Sequence, residues 1–183
     1  MRQWFAANLL RLFGWSVVGE KPKLDKYIII FAPHTSNWDF VMAQMAGFAL
    51  NISAKYFGKD SLFRFPYRFF FEFLGGIPID RSKHNDVVDF AVDLFTQSEA
   101  LVLALAPEGT RSWVERWKTG FYHIAHGAKV PLLLCFFDYA KKEVGVAEIF
   151  NPSGDIEEDM VKIAAIYQEK NGRNPEQYNP KIY

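Results

Sequence analysis

The sequence predicts an α/β fold: a single domain whose mixed, mostly parallel sheet is flanked by helices. Strand-like segments alternate with helical segments along the 183 residues, as in a sheet that helices cover. The strand-like segments are apolar at consecutive positions, which is typical of strands buried on both faces. Half of the residues are hydrophobic and 23% are charged, which excludes intrinsic disorder.

The first segment, residues 2–18, predicts an amphipathic helix without acidic residues. On a helical wheel, the apolar side chains share one arc: Phe5, Ala6, Leu9, Leu10, Leu12 and Phe13. Trp4 and Trp15 lie at the borders of this arc, and Arg2 and Arg11 are the charged residues of the segment. Such a helix fits a membrane interface, and a plain packing helix is the alternative. Arg11 argues against a signal peptide. We therefore expect an interfacial helix over residues 1–20 and an α/β domain over residues 21–183.

The elements up to residue 79 follow from local composition. The β-branched, apolar run at 27–31 predicts a buried strand, and a helix follows at 39–50. Residues 52–57 predict a second strand. The aromatic segment 60–74 is interpreted as helical, with Pro66 near its first turns, and residues 76–79 predict a short strand.

The elements after residue 80 continue the alternation. Apolar side chains at helical spacing (Val87, Phe90, Ala91 and Leu94) predict a helix at 86–97. Apolar runs predict strands at 101–106, 131–138 and 143–150, and helices are expected at 119–126 and 156–169. The apolar runs are about eight residues long, whereas a membrane-spanning helix needs about 20.

Composition excludes several classes of protein. The chain carries 21 basic and 21 acidic residues, which disfavours a polyanion-binding role driven by net charge. Cys135 is the single cysteine, so an intrachain disulfide or a cysteine-based zinc site is excluded. The 17% aromatic content fits either an ordinary aromatic core or a protein that handles apolar ligands or touches a bilayer.

His34 is the strongest catalytic candidate. It follows the strand at 27–31, and ligands of α/β sheets bind at the carboxyl ends of strands. Asp39, five residues on, can fold back onto one imidazole nitrogen and leave the other as a general base. The same residues also fit a capping box with Ser36 as the N-cap, and both interpretations can hold together. His84 and Asp89 repeat the spacing by chance in a charged segment.

Two further strand ends carry groups suited to an anionic ligand. After the strand at 101–106 comes Pro-Glu-Gly-Thr-Arg-Ser, where a glycine turn and the Arg111 guanidinium suit a phosphate or carboxylate. Arg81 follows the strand at 76–79, although a surface pair with Asp80 is an equal alternative. His123 and His126 are three residues apart, but no third ligand accompanies them, so we predict no metal site. Nucleophile-elbow and phosphate-loop motifs are absent from the sequence.

Together these motifs resemble the PlsC-like glycerolipid acyltransferases, the lysophosphatidic acid acyltransferase superfamily. The blocks occur in the family's order over roughly residues 5–137: His34-x4-Asp39, Gly75-x3-Ile79-Asp80-Arg81, Pro107-Glu108-Gly109-Thr110-Arg111-Ser112, Lys118-x-Gly120 and Val130-Pro131. Departures lie at Pro78, where the family usually has Phe, and at Leu132, where it usually has a second proline. They affect acceptor and acyl-chain specificity more than reaction class.

The resemblance implies an enzyme of phospholipid biosynthesis that transfers a fatty acyl group from acyl-CoA or acyl carrier protein to a lysolipid hydroxyl. It implies His34 as general base and Asp39 as its orienting partner, with no cofactor and no covalent acyl-enzyme. It also implies an acceptor headgroup site with these members: Arg81, Glu108, Gly109, Thr110, Arg111 and, as weaker candidates, Lys59 and Lys118. We expect a cytoplasmic protein peripheral to the inner face of the membrane.

Two other functions remain open at this point. One is a catalytically silent lipid-binding protein that keeps the fold, and the other is an acyl thioesterase in which His34 activates water. The acceptor is also open among lysophosphatidic acid, another lysophospholipid and a non-phosphate lysolipid.

Overall fold

A seven-stranded sheet forms the centre of the molecule. The computed structural model describes residues 2–79 and 84–183, without the side chains of residues 84–86. The strand order is β1-β7-β6-β2-β5-β3-β4, and every neighbouring pair is parallel except β6 and β7. The strands are β1 Ser16–Val18, β2 Lys26–Ala32, β3 Lys55–Lys59, β4 Gly76–Ile79, β5 Leu101–Leu105, β6 Leu132–Asp138 and β7 Glu143–Phe150. The predicted fold class is confirmed.

Helices cover both faces of this sheet. They are α1 Arg2–Leu12, α2 Trp38–Leu50, α3 Arg68–Phe73, α4 His84–Gln97, α5 Gly120–Ala128 and α6 Ile156–Tyr167, with 3₁₀ turns at Asp60–Phe63 and Pro175–Gln177. Alternate residues of β2 face opposite sides. Ile28 and Ile30 share the larger core cluster with α4, α5 and α6, while Leu10 of α1 and Ala46 of α2 pack over the other face. Among the described residues, no helix is long and apolar enough to cross a membrane.

The prediction of one helix over residues 60–74 is wrong. The segment contains a 3₁₀ turn, an irregular stretch around Pro66, and then the short helix α3. Proline lacks an amide hydrogen and pushes the residue before it out of the helical region, so it separates the two parts. The aromatic side chains of this segment point largely outward, with Phe65, Phe69 and Phe73 among the most exposed.

The N-terminal helix is also shorter than predicted. It ends at Leu12, and Gly14, with φ of +78°, turns the chain into β1, a strand that the sequence did not reveal. Only part of the predicted apolar arc is buried: Ala6 and Leu10 pack inward, whereas Phe5 and Phe13 are exposed. α1 is therefore a docked helix that keeps an apolar outer surface.

Candidate active site

The carboxyl ends of four neighbouring strands meet at one edge of the sheet. β6, β2, β5 and β3 are adjacent and parallel in that order. His34 lies two residues beyond β2, Glu108 three residues beyond β5, and Lys59 at the last position of β3. The parallel register therefore gathers residues that are distant in sequence, as the strand-end argument predicted.

His34 and Asp39 form a hydrogen-bonded pair at this edge. The distance between His34 Nδ1 and Asp39 Oδ2 is 3.1 Å. Asp39 is 1% exposed, whereas the imidazole reaches the large cavity described below. Because Asp39 engages Nδ1, the Nε2 nitrogen is the one available to a substrate. This arrangement can orient a general base and stabilise its protonated form.

The backbone before α2 holds the Asp39 carboxylate in place. The amides of Thr35 and Ser36 donate to Oδ2 at 2.7 and 2.8 Å. The Ser36 hydroxyl accepts from the Trp38 amide at 3.2 Å, not from the Asp39 amide as a full capping box requires. The acidic half of the predicted box therefore forms, and the same carboxylate also contacts His34.

Glu108 is buried next to the backbone of His34. Its side chain is 4% exposed, and Oε1 accepts the backbone N–H of His34 at 2.8 Å. Burial raises the pKa of Glu108 to about 7, although the hydrogen bond from His34 acts in the opposite direction. Oε2 is buried without a hydrogen-bond partner among the described residues. Glu108 thus ties the loop after β5 to the loop that carries His34.

The other described residues of the predicted headgroup site line one cavity, and all of them are exposed. Gly109, Thr110, Arg111, Lys118 and Lys59 all line it. Gly109 has φ of +67°, and a β-carbon there would lie 3.2 Å from Lys118 Nζ, so glycine allows both the turn and the close approach of the lysine. The cations and the backbone turn suit an anionic group. Arg81 and the side chain of His84 lie outside the described residues.

The cavity itself is large and mostly apolar. Its volume is about 1250 Å³. Beneath α2 it is lined by apolar residues of the helix, of the turn that follows it and of the strands below it, namely Ile29, Phe31, Ala43, Ala46, Leu50, Ile52 and Phe137. Pockets for one small ligand are about 300–1,000 Å³, so this volume has room for more than one small molecule.

Sequence reasoning missed three residues that support the site. The Tyr139 hydroxyl donates to Asp39 Oδ1 at 2.6 Å. Asn174 donates through its side chain to the Thr35 carbonyl at 2.8 Å and through its backbone to Thr35 Oγ1 at 3.1 Å. The end of the Gln177 side-chain amide faces the carbonyls of Thr35 and Arg111, so we assign the amide nitrogen to that end, from which it donates to Thr35 at 3.0 Å and to Arg111 at 2.6 Å. Tyr139 follows β6 directly, so the strand-end rule could have found it. Nothing local marks the other two.

The model of the acyltransferase family matches residues 16–136, which contain the His34–Asp39 pair and the loop after β5. The chain belongs to this acyltransferase family. Among solved structures, its fold is similar to that of the 1-acyl-sn-glycerophosphate (LPA) acyltransferase PlsC from Thermotoga maritima, with a TM-score of 0.63 and 19% identity over 90% of this chain and 74% of that chain. No curated protein matches the sequence. The resemblance drawn from the motifs is confirmed, and the protein is an acyltransferase.

Proposed function

We propose that this acyltransferase moves a fatty acyl group from an acyl-CoA or acyl carrier protein thioester to the hydroxyl of a lysolipid. One observation carries the proposal: the His34–Asp39 pair borders a mostly apolar cavity of about 1250 Å³, and the exposed cations Arg111 and Lys118 line the same cavity. The membership of the chain in the acyltransferase family supports the reaction class. The acceptor is a lysophospholipid, with 1-acyl-glycerol-3-phosphate as the first candidate.

The proposed reaction needs no covalent intermediate. His34 Nε2 takes the proton of the acceptor hydroxyl as the oxygen attacks the thioester carbonyl carbon. The carbon–sulfur bond then breaks, and the imidazolium returns the proton to the departing thiolate, so that the products are an ester and a free thiol. Asp39 stabilises the imidazolium between these steps. The sole thiol of the chain, Cys135, is fully buried, and its pKa is raised by that burial, which is unsuited to a nucleophile.

The two substrates are assigned to different parts of the cavity. The apolar region beneath α2 would hold an acyl chain, because its lining offers apolar contacts. Arg111, Lys118 and Lys59 would hold the anionic headgroup, since charge-assisted hydrogen bonds are the strong ones for phosphate. Arg81 belongs to the same proposal from the sequence motif alone.

We also propose that the protein works as a peripheral membrane protein. The outer surface of α1 exposes Trp4, Phe5 and Leu12 beside Arg2 and Arg11, and Phe13, directly after the helix, is exposed as well. Apolar and cationic groups on one helix are typical of helices that lie in a membrane interface. The exposed aromatic side chains around α3 add a second apolar surface, and Phe65 is 90% exposed. Few of these aromatic side chains line the cavity. We therefore favour a role for them at the membrane surface over a role as the lining of a tunnel for the acyl chain.

The test is an acyl-transfer assay with a panel of acceptors and both thioester donors. Acylated lipid, free fatty acid and released thiol are counted in each reaction. We expect acylated lipid to form in step with thiol, and His34→Ala to lower kcat by about 10²–10⁴, the range of a positioned general base. His126→Ala is the matched control, because His126 is exposed on α5 and does not line the cavity.

Each alternative gives a different product pattern. Free fatty acid without acylated lipid would identify a thioesterase. Acceptor binding without thiol release from any donor would identify a lipid-binding protein. Full activity in His34→Ala would show that another group is the base.

A further inference from the structure

The carboxylate of Asp39 is held on both oxygens. Oδ2 accepts from the two loop amides and faces His34 Nδ1, while Oδ1 accepts from the Tyr139 hydroxyl at 2.6 Å. That distance falls within the range of about 2.5–2.7 Å that is typical of a hydroxyl donating to a carboxylate. Tyr139 lies beyond the residues 16–136 that the family model matches. It reaches Asp39 from the neighbouring strand, because β6 is parallel to β2.

Tyr139 is itself fixed by the fold on two further sides. Its backbone N–H donates to the carbonyl of Asn171 at 2.9 Å. Its ring packs edge-on against Trp15, with 4.8 Å between the ring centroids. The pKa of Tyr139 is raised above its ordinary value, first by burial and then by the hydrogen bond to Asp39, so the hydroxyl keeps its proton. A donor held in this way gives the carboxylate a single orientation.

We propose that Tyr139 is a positioning residue of the catalytic pair: its hydroxyl fixes the rotation of the Asp39 carboxylate and so holds His34 in its reactive orientation. The two amides fix only one oxygen of Asp39, and rotation about the Cβ–Cγ bond is limited when the second oxygen is also bound. The hydroxyl is a neutral donor, so the carboxylate keeps the negative charge that stabilises an imidazolium. The inference rests on the proposed roles of His34 and Asp39.

The experiment compares Tyr139→Phe, which keeps the ring against Trp15 and removes the hydroxyl, with a matched control. The control is Tyr122→Phe, which also removes a hydroxyl that donates to a buried carboxylate. The Tyr122 hydroxyl donates to Asp159 Oδ2 over 2.7 Å, and this pair lies outside the active site. We expect Tyr139→Phe to lower kcat by about tenfold or more. KM for the acceptor and KM for the thioester donor should each change by less than about twofold, which is the pattern of a contact that acts on the transition state. Tyr122→Phe should lower the melting temperature and leave kcat unchanged.

A second comparison shows whether Tyr139 acts through Asp39. In the Asp39→Asn background, Tyr139→Phe should cost less than about twofold in kcat, because residues that act through one another are not additive. Residual activity is measured by long incubation with a radiolabelled donor. An equal fold loss in both backgrounds, a normal kcat in Tyr139→Phe, or the same kcat loss in Tyr122→Phe would overturn the inference.

These outcomes also separate this inference from the proposed function. If Asp39→Asn and His34→Ala keep wild-type activity, then the catalytic pair is wrong. If both variants lose activity while Tyr139→Phe does not, then the pair stands and the positioning role of Tyr139 fails.

Discussion

Replacement of Glu108 by glutamine should change how the stability of the protein depends on pH. Burial raises the pKa of Glu108 from 4.5 to about 7, so the folded chain binds this proton more tightly than the unfolded chain. The free energy of unfolding therefore contains a contribution that is present at low pH and is lost as the pH rises through about 7. Glutamine keeps an oxygen acceptor for the His34 amide and does not titrate.

The size of the effect follows from that pKa. Between pH 5 and pH 8, the wild type should lose about 2.5 kcal/mol of unfolding free energy relative to Glu108→Gln. For a chain of this size, that corresponds to a relative shift in melting temperature of roughly 5–10 °C. Urea unfolding followed by tryptophan fluorescence at each pH measures the difference.

The control is Glu115→Gln, since Glu115 is exposed in the loop after the same strand. The difference in unfolding free energy between Glu115→Gln and the wild type should be the same at pH 5 and at pH 8. If the difference between Glu108→Gln and the wild type also proves independent of pH, then the carboxyl of Glu108 is not held in a protonated, buried state, and the reasoning fails.

Two further predictions concern substrate and membrane contacts. Arg111→Ala should raise KM for a phosphate-bearing acceptor by about 10–150-fold, the equivalent of one hydrogen bond to a charged group. Arg116→Ala is the control, because Arg116 does not line the cavity, and it should leave this KM unchanged. If acceptor titrations give Arg111→Ala the same KM as the wild type, the headgroup assignment is contradicted. The double variant Phe5→Glu with Phe13→Glu should sediment less with anionic vesicles, and its melting temperature should be unchanged because both side chains are exposed. The control variant Val161→Glu, on the exposed surface of α6, should bind the vesicles as the wild type does. Unchanged vesicle binding by the double variant would place the membrane anchor elsewhere.

The parts of the site that could be predicted from sequence are local. His34 and Asp39 are five residues apart at the end of an apolar strand, so one turn and one strand-end rule are enough to bring them together. The fold class also depends on local patterns, because an apolar strand buried on both faces differs in sequence from an amphipathic helix. Short-range information therefore predicted the catalytic pair and every strand of the sheet except β1.

The rest depends on packing partners that the local sequence does not contain. The motif predicted Glu108 among headgroup ligands, but the direction of its side chain depends on the neighbouring loop after β2, whose amide it accepts. The helical wheel of α1 could not show which side chains α2 would cover. The contacts of Asn174 and Gln177 with Thr35 join segments far apart in the chain, and no periodicity marks them.

The pairing of β1 with β7 sets an order of assembly. Ser16 lies opposite Glu143, so the first strand of the chain has no partner until the last strand exists. Pairing across such a long separation closes a large loop, which costs chain entropy before the contact is formed and slows folding. α1 contacts α2 and can dock before β7 is available, whereas β1 gains its partner strand only with β7. On the ribosome, nearly the whole domain must emerge before the segment that joins α1 to the sheet has a place to bind.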